Sequence, residues 1–248
     1  MILEMRNKGD AKFMKIVQRI FGMLIVFSGI FIWLIASFDL AIYGDKTYSF
    51  YEKKYEKYQV TKDLQMEMPD VMYVTDEMMQ YLKGHREELS VITTVDGDQI
   101  DFFNEQDRLH MKDVQDLFLQ GLRLQRYAFA LLFVCLVIFL KISKEKRKIL
   151  CQSYWIALGV FLSLLGILVY LFSQDFTKYF TIFHEIFFTN DLWLFDPATD
   201  LMIRMLPEGF FYDISARIVS VFASGLLAFF LASIVIYRRS ISRTNRKD

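Results

Sequence analysis

Residues 183–211 read Phe183-His184-Glu185-Ile186-Phe187-Phe188-Thr189-Asn190-Asp191-Leu192-Trp193-Leu194-Phe195-Asp196-Pro197-Ala198-Thr199-Asp200-Leu201-Met202-Ile203-Arg204-Met205-Leu206-Pro207-Glu208-Gly209-Phe210-Phe211. This stretch is too polar to cross a bilayer and too aromatic for an ordinary solvated loop. It lies between two long apolar runs, residues 154–172 and 214–237. Its composition suits the layer where lipid headgroups meet water, the usual place for amphipathic aromatic side chains.

Before Trp193, the aromatics Phe176, Tyr179, Phe180, Phe183 and Phe187 recur at spacings of three and four, the stripe of an amphipathic helix. Such a helix lies in the interface, with His184 at the margin of the stripe beside Thr177 and Thr181, and Glu185 further round. Asp196-Pro197 reads as an N-cap followed by proline at the first helical position, opening a short helix that Pro207 closes.

Working outward, the chain of 248 residues is 54% hydrophobic, with 25 Phe and only 3 Pro, and its apolar residues come in blocks. That argues against one large soluble domain. Residues 16–40, 117–140, 154–172 and 214–237 each approach the roughly 20 residues needed to cross about 30 Å of hydrocarbon. The expected fold class is an α-helical integral membrane protein with four transmembrane helices and a small extracellular α/β cap. Its expected parts are 1–42, a cytoplasmic N-terminus and first span; 43–112, the cap; 113–172, the second span, a basic loop and the third span; 173–213, the interfacial segment; and 214–248, the fourth span and a basic tail.

A formal net charge of zero hides an asymmetry. Arg6, Lys8, Lys12, Lys15 and Arg19 precede the first run; Lys141, Lys144, Lys146, Arg147 and Lys148 separate the second and third; Arg238, Arg239, Arg243, Arg246 and Lys247 follow the fourth. These clusters belong in the cytoplasm, and the two acidic loops outside. Both termini are therefore expected inside, Glu4 and Arg246 with them, while Asp98 and Asp191 face out. The first run is too long for a cleaved signal-peptide core and reads as a retained anchor. No cysteine near the amino terminus marks the chain itself for lipid modification. Cys135 and Cys151 fall in or beside spans, so neither a disulfide nor a catalytic thiol is expected outside.

In the cap, Tyr48, Tyr51, Tyr55 and Tyr58 predict a short amphipathic helix. Residues 71–74 read as a strand, 76–82 as a helix ended by Gly84, and 91–95 as a strand that Asp96-Gly97 turns into a hairpin with 99–103. A piece of about 60 residues has little core of its own, so it is expected to rest on the membrane helices. His85, on a Lys-Gly-His-Arg-Glu turn, reads as a surface residue. Residues 127–140 alone span only about 21 Å as a helix, so the second span takes in earlier turns. Helical spacing then sets Asp113, Asp116, Gln120 and Arg123 on roughly the side of His110, descending into a wet cleft. Asp113, one turn on, is placed to hold the His110 ring in one tautomer.

No Gly-x-Ser-x-Gly, Gly-rich phosphate loop, His-Glu-x-x-His or Cys-x-x-Cys occurs, so a serine hydrolase, nucleotide enzyme or zinc protease has no support. Neither metal nor cofactor is expected, and no nucleic-acid partner.

The segments His-Glu-Ile-Phe-Phe (184–188), Asn-Asp-Leu-Trp-Leu (190–194), Asp-Pro-x-Thr-Asp (196–200) and Leu-Pro-Glu-x-Phe-Phe (206–211), in that order, resemble the lipoprotein intramolecular transacylases of Gram-positive bacteria. His110-Met111-Lys112-Asp113-Val114 is similar to that family's other histidine motif, whereas residues 43–103 match only in outline. The resemblance implies an acyltransferase whose substrate is a diacylglyceryl lipoprotein freed of its signal peptide. The middle-carbon acyl chain moves to the α-amine of the N-terminal cysteine within one molecule, giving a lyso-form lipoprotein. Substrate lipoproteins and membrane phospholipid are then the partners, at the outer face of the cell membrane. Both histidines fall on motif positions, which makes His110 and His184 the expected acid/base pair, either one in either role. Asp113, Glu185, Asn190, Asp191, Trp193, Asp196, Glu208 and Arg123 are candidates to orient substrate or wall the pocket. The competing reading is a non-catalytic, membrane-anchored binding module with aromatic interfacial anchors.

Overall fold

The computed structural model describes residues 2–244; Arg246 and Lys247, which the charge argument puts inside, lie outside the described residues. In chain order the elements are α1 (Ile2–Tyr43), α2 (Ser49–Lys57), α3 (Val60–Leu64), α4 (Met68–Leu82), β1 (Ile92–Val95), β2 (Asp98–Asp101), α5 (Glu105–Ile142), α6 (Lys146–Gln174), α7 (Phe176–Phe187), α8 (Leu201–Met205) and α9 (Glu208–Thr244). Four of them, α1, α5, α6 and α9, are long and apolar enough to cross a membrane. The expected mostly helical membrane fold with a small sheet is present. At 38 residues, α5 is about 57 Å long, far more than about 30 Å of hydrocarbon requires. The step from cap to second span expected at 112/113 therefore falls inside one unbroken helix.

The chain divides into two compact units whose boundaries fall within the four long helices. The first comprises the chain up to Ala36, Leu124–Val169 and the chain from Ser220 on. Ile30, Ala157, Phe222 and Leu226 are buried together there. The Trp33 indole N–H donates to the Phe222 carbonyl at 3.0 Å. At Gly225 any Cβ would lie 2.2 Å from the Trp33 ring, so only glycine lets the two helices come this close.

The second unit, Ser37–Arg123 and Tyr170–Val219, holds the larger core. The tyrosine repeat forms α2 and buries Tyr51 and Tyr55. The Tyr55 hydroxyl lies 2.8 Å from Thr75 Oγ1, and its ring stacks on Phe210 at 6.0 Å. The Tyr58 hydroxyl, with its one hydrogen, lies 2.8 Å from both the Gly209 carbonyl and Asp213, and Lys54 and Lys57 close on the same carboxylate. The first turn of α9 is thereby fastened to α2.

The strand expected at 71–74 is absent: these residues belong to α4. Two valines with a β-branched neighbour read as a strand over four residues, but Val71, Val74, Thr75, Met78, Met79 and Leu82 are all buried at helical spacing. Tertiary packing overrides the local propensity. The expected helix end at Gly84 is present, with φ of 75°, and so is the hairpin. Asp96 and Gly97 both take positive φ, as a two-residue turn between β1 and β2 demands. His85 is exposed in the turn that follows α4, its Nδ1 3.0 Å from Gln80 Oε1.

Candidate active site

The first turn of α5 is set by a reciprocal cap. Asp107 N–H donates to Asn104 Oδ1 at 2.9 Å and Asn104 N–H to Asp107 Oδ2 at 3.0 Å, two otherwise orphaned amides satisfied at once. His110 follows on the next turn and is buried, 6% exposed. In α7, Asp175 caps the helix by accepting from Lys178 N–H, and Thr177 Oγ1 donates to Glu208 at 2.8 Å. His184, on the last turn, is buried at 9%.

These two elements bring the histidine rings to 6.0 Å between centroids, inclined at 28°. Phe188 and Phe195 stand edge-on to His110 at 5.1 and 5.3 Å. Phe180 and Trp193 flank His184 at 4.4 and 5.0 Å. His184 Nδ1 lies 2.7 Å from the Phe180 carbonyl oxygen. A carbonyl only accepts, so Nδ1 carries the hydrogen and Nε2 of the neutral ring keeps its lone pair. Burial among aromatic rings holds the His184 pKa below the usual histidine range, with the bond to Phe180 pulling the other way.

Both histidines line a cavity of about 570 Å³ whose walls are mostly apolar, including Phe38, Ile42, Val114, Leu117, Phe118, Phe211 and Ile218. Its apolar walls, with two imidazoles among them, can take a hydrocarbon chain. Among the described residues, no serine or cysteine lines it.

The segment after α7 is held over the pair by the start of α5. Gln106 Nε2 donates to the carbonyls of Leu192 and Leu194 at 3.1 and 3.0 Å. Asn104 Nδ2 donates to Asp200 at 2.8 Å, and Asp200 accepts the Asp196 amide at 2.7 Å. The helix expected to open at Pro197 starts later: residues 196–200 make a turn tied by Asp200, and α8 begins at Leu201. A proline can begin a helix, but here the carboxylate that closes the turn lies four residues on.

Of the candidate residues, His110, His184, Trp193 and Asp196 line the cavity. Asp196 uses Oδ1 to accept the Ala198 amide. Asn190 donates to Asp113 at 2.9 Å, joining α5 to the loop. The Nδ1 of His110 is buried with no hydrogen-bond partner, so Asp113 does not fix its tautomer through that atom. Glu185, Asp191, Glu208, Gln120 and Arg123 are exposed and do not line the cavity. The cavity follows the apolar Val114, Leu117 and Phe118 side of α5, because water-seeking groups are cheaper to leave at the surface than beside a hydrocarbon pocket.

Asn104, Gln106, Asp107 and Asp200 were not candidates from sequence. An Asn-x-x-Asp capping box at 104–107 and the second acid of Asp-Pro-x-Thr-Asp were the available signals. Gln106 had none.

The model of the family described as lipoprotein intramolecular transacylase Lit matches residues 23–211. No curated protein sequence matches significantly. Among solved structures, the chain is similar to the membrane integral lipoprotein intramolecular transacylase Lit from Bacillus cereus, with a TM-score of 0.66 at 18% identity over 92% of this chain and 98% of that one. A variant of that protein with one histidine replaced by arginine matches with a TM-score of 0.71 at 18% identity, over 98% of this chain and 100% of its own. One with a histidine replaced by alanine matches at 0.70 and 19%, over 96% and 99%. At these identities the structural likeness is one of fold.

Proposed function

Because this chain belongs to the lipoprotein intramolecular transacylase family and is thus an acyltransferase, we propose that it moves the sn-2 acyl chain of a diacylglyceryl lipoprotein to the α-amine of that molecule's N-terminal cysteine. His110 and His184 are the acid/base pair. The observation that carries this reading is the two buried imidazoles 6.0 Å apart at an apolar cavity.

The substrate supplies both nucleophile and electrophile, so the protein need only orient them and move protons. The N-terminal cysteine arrives as an ammonium and must lose two protons to become an amide. Water takes the first and frees the amine, which attacks the ester carbonyl carbon. The new C–N bond forms as the carbonyl π pair moves onto oxygen. His184, with Nε2 bare, takes the second proton from nitrogen. Collapse of the tetrahedral intermediate breaks the bond to the glycerol oxygen, to which His110 delivers the proton taken up by His184. The products are an amide, a free sn-2 hydroxyl and one proton released to water, which balances the reaction without an acyl-enzyme.

Trp193, Phe188 and Phe195 exclude water from this exchange, and the apolar walls receive the moving chain. Asn190, Asp113 and Asp196 shape the loop over it. The asymmetric loop charges support an outward-facing site with cytoplasmic termini. Mass spectrometry of a lipoprotein's N-terminal peptide, from cells with and without the protein, tests the function. The expected product has the mass of the substrate but carries one acyl chain as an amide. An unchanged peptide in both cells contradicts it.

A further inference from the structure

The first unit contains a second cavity, of about 700 Å³, between α1, α6 and α9. Its lumen is apolar because its polar groups are already engaged. Tyr154 donates to the Leu226 carbonyl at 2.6 Å, Cys151 Sγ to the Ser233 carbonyl at 3.4 Å, and Ser233 itself to Phe230 at 2.7 Å. Two side chains depart from this pattern. Arg147, near the start of α6, and Arg239, near the end of α9, are exposed at the same cavity, and neither has a carboxylate partner among the described residues. From Arg239 to Leu226 the cavity follows α9 for about 20 Å, somewhat more than half of a roughly 30 Å hydrocarbon core.

We propose that this groove is a binding site for one anionic phospholipid, separate from the acyl-transfer site and independent of how that site works. The phosphate sits on Arg147 and Arg239, whose planar guanidiniums match its oxygens in forked hydrogen bonds. One acyl chain lies along Gly29, Ile30 and Leu226. A soluble anion would use the arginines and leave the apolar lumen to water, and a zwitterionic lipid would set its own cation against the pair. An anionic lipid satisfies both ends, and basic residues beside a membrane surface favour such lipids.

Native mass spectrometry of the full chain, purified in neutral detergent, tests this with three probes: phosphatidylglycerol, phosphatidylcholine and chain-free glycerol phosphate. One phosphatidylglycerol should be retained per chain, at least tenfold more strongly than either other probe. The double variant Arg147→Gln with Arg239→Gln should lose that preference tenfold or more, and Arg147→Lys with Arg239→Lys should keep part of it. Ala232→Phe, which fills the groove without touching its charge, should displace the lipid; it decides the matter if the glutamine variant does not fold. Equal retention of phosphatidylcholine would mean loosely held boundary lipid only. Tight glycerol phosphate binding would mean a soluble anion site, and a stable dimer unaffected by lipid would mean a second copy in the groove. Each of these overturns the proposal, as does a double-glutamine or Ala232→Phe variant that binds like the parent.

Discussion

The Nδ1 of His184 lies 2.7 Å from the carbonyl oxygen of Phe180, one helical turn back on α7. That bond fixes the tautomer and leaves Nε2 as the nitrogen that can accept a proton. Because the partner is a backbone carbonyl, no side-chain change at position 180 removes it. The arrangement is built into the helix that the aromatic stripe forms.

His184→Ala and His110→Ala should each lower product formation by about 10²- to 10⁴-fold, the usual contribution of a proton-transfer group. Both proteins should still accumulate in the membrane. His85→Ala should be nearly silent, since His85 is exposed and its Nδ1 pairs with Gln80 at the surface. The N-terminal peptide assay on membranes carrying equal amounts of each variant reads all three. Loss in His85→Ala with activity in His184→Ala would invert the assignment.

Burial lowers the His184 pKa, so its base form persists below the ordinary value of about 6.5. The acid limb due to His184 therefore lies below that pH, not above it. The main rise in rate should instead follow the substrate amine, with a reference pKa of about 8. Initial rates between pH 5 and 9.5 on a diacylglyceryl lipopeptide check this. A single rise centred at the ordinary histidine value, with no further gain toward pH 8, would contradict it.

Asp200 accepts from both Asn104 and the Asp196 amide, so Asp200→Ala should loosen the loop that seats Trp193 and Phe195. A displacement of about 1 Å can cost about 10²-fold, and a loss of that order is expected. Asp200→Asn keeps one acceptor and should recover part of it. Gln106→Ala should act in the same direction through Leu192 and Leu194. Rates at saturating substrate separate this from weaker binding.

The charge asymmetry predicts that Asp98→Cys and Asp191→Cys react with an impermeant thiol reagent in intact cells, whereas Glu145→Cys does not. Cys135 and Cys151 are best removed first. Labelling at 145 but not at 98 would reverse the topology.

The membrane helices were legible because their cause is gross composition: apolar blocks of span length need no tertiary information. The helix at 176–187 and the hairpin at Asp96-Gly97 were legible for a local reason, a periodic stripe and a two-residue turn requiring positive φ. Val71 to Val74 misled because β-branched residues prefer strands until a longer buried stripe outvotes them. At the site, the two histidines stood out through their motifs, but the direction of the cavity did not. Helical spacing gathered Asp113, Gln120 and Arg123 near His110, whereas the fold turns the apolar side of α5 inward. Gln106 and Asp200 hold the loop through contacts 86 and 96 residues apart in sequence, and no local pattern reports such a pairing.

The central claim is that the substrate attacks itself, with the two histidines moving protons and no acyl group resting on the protein. The measurement that tests it most directly mixes two diacylglyceryl lipoproteins of different peptide mass, one with isotopically labelled acyl chains. Each N-terminal peptide is then read by mass spectrometry. Label confined to the peptide that brought it is the predicted result. Label on the second peptide would show an intermolecular acyltransferase and contradict the account.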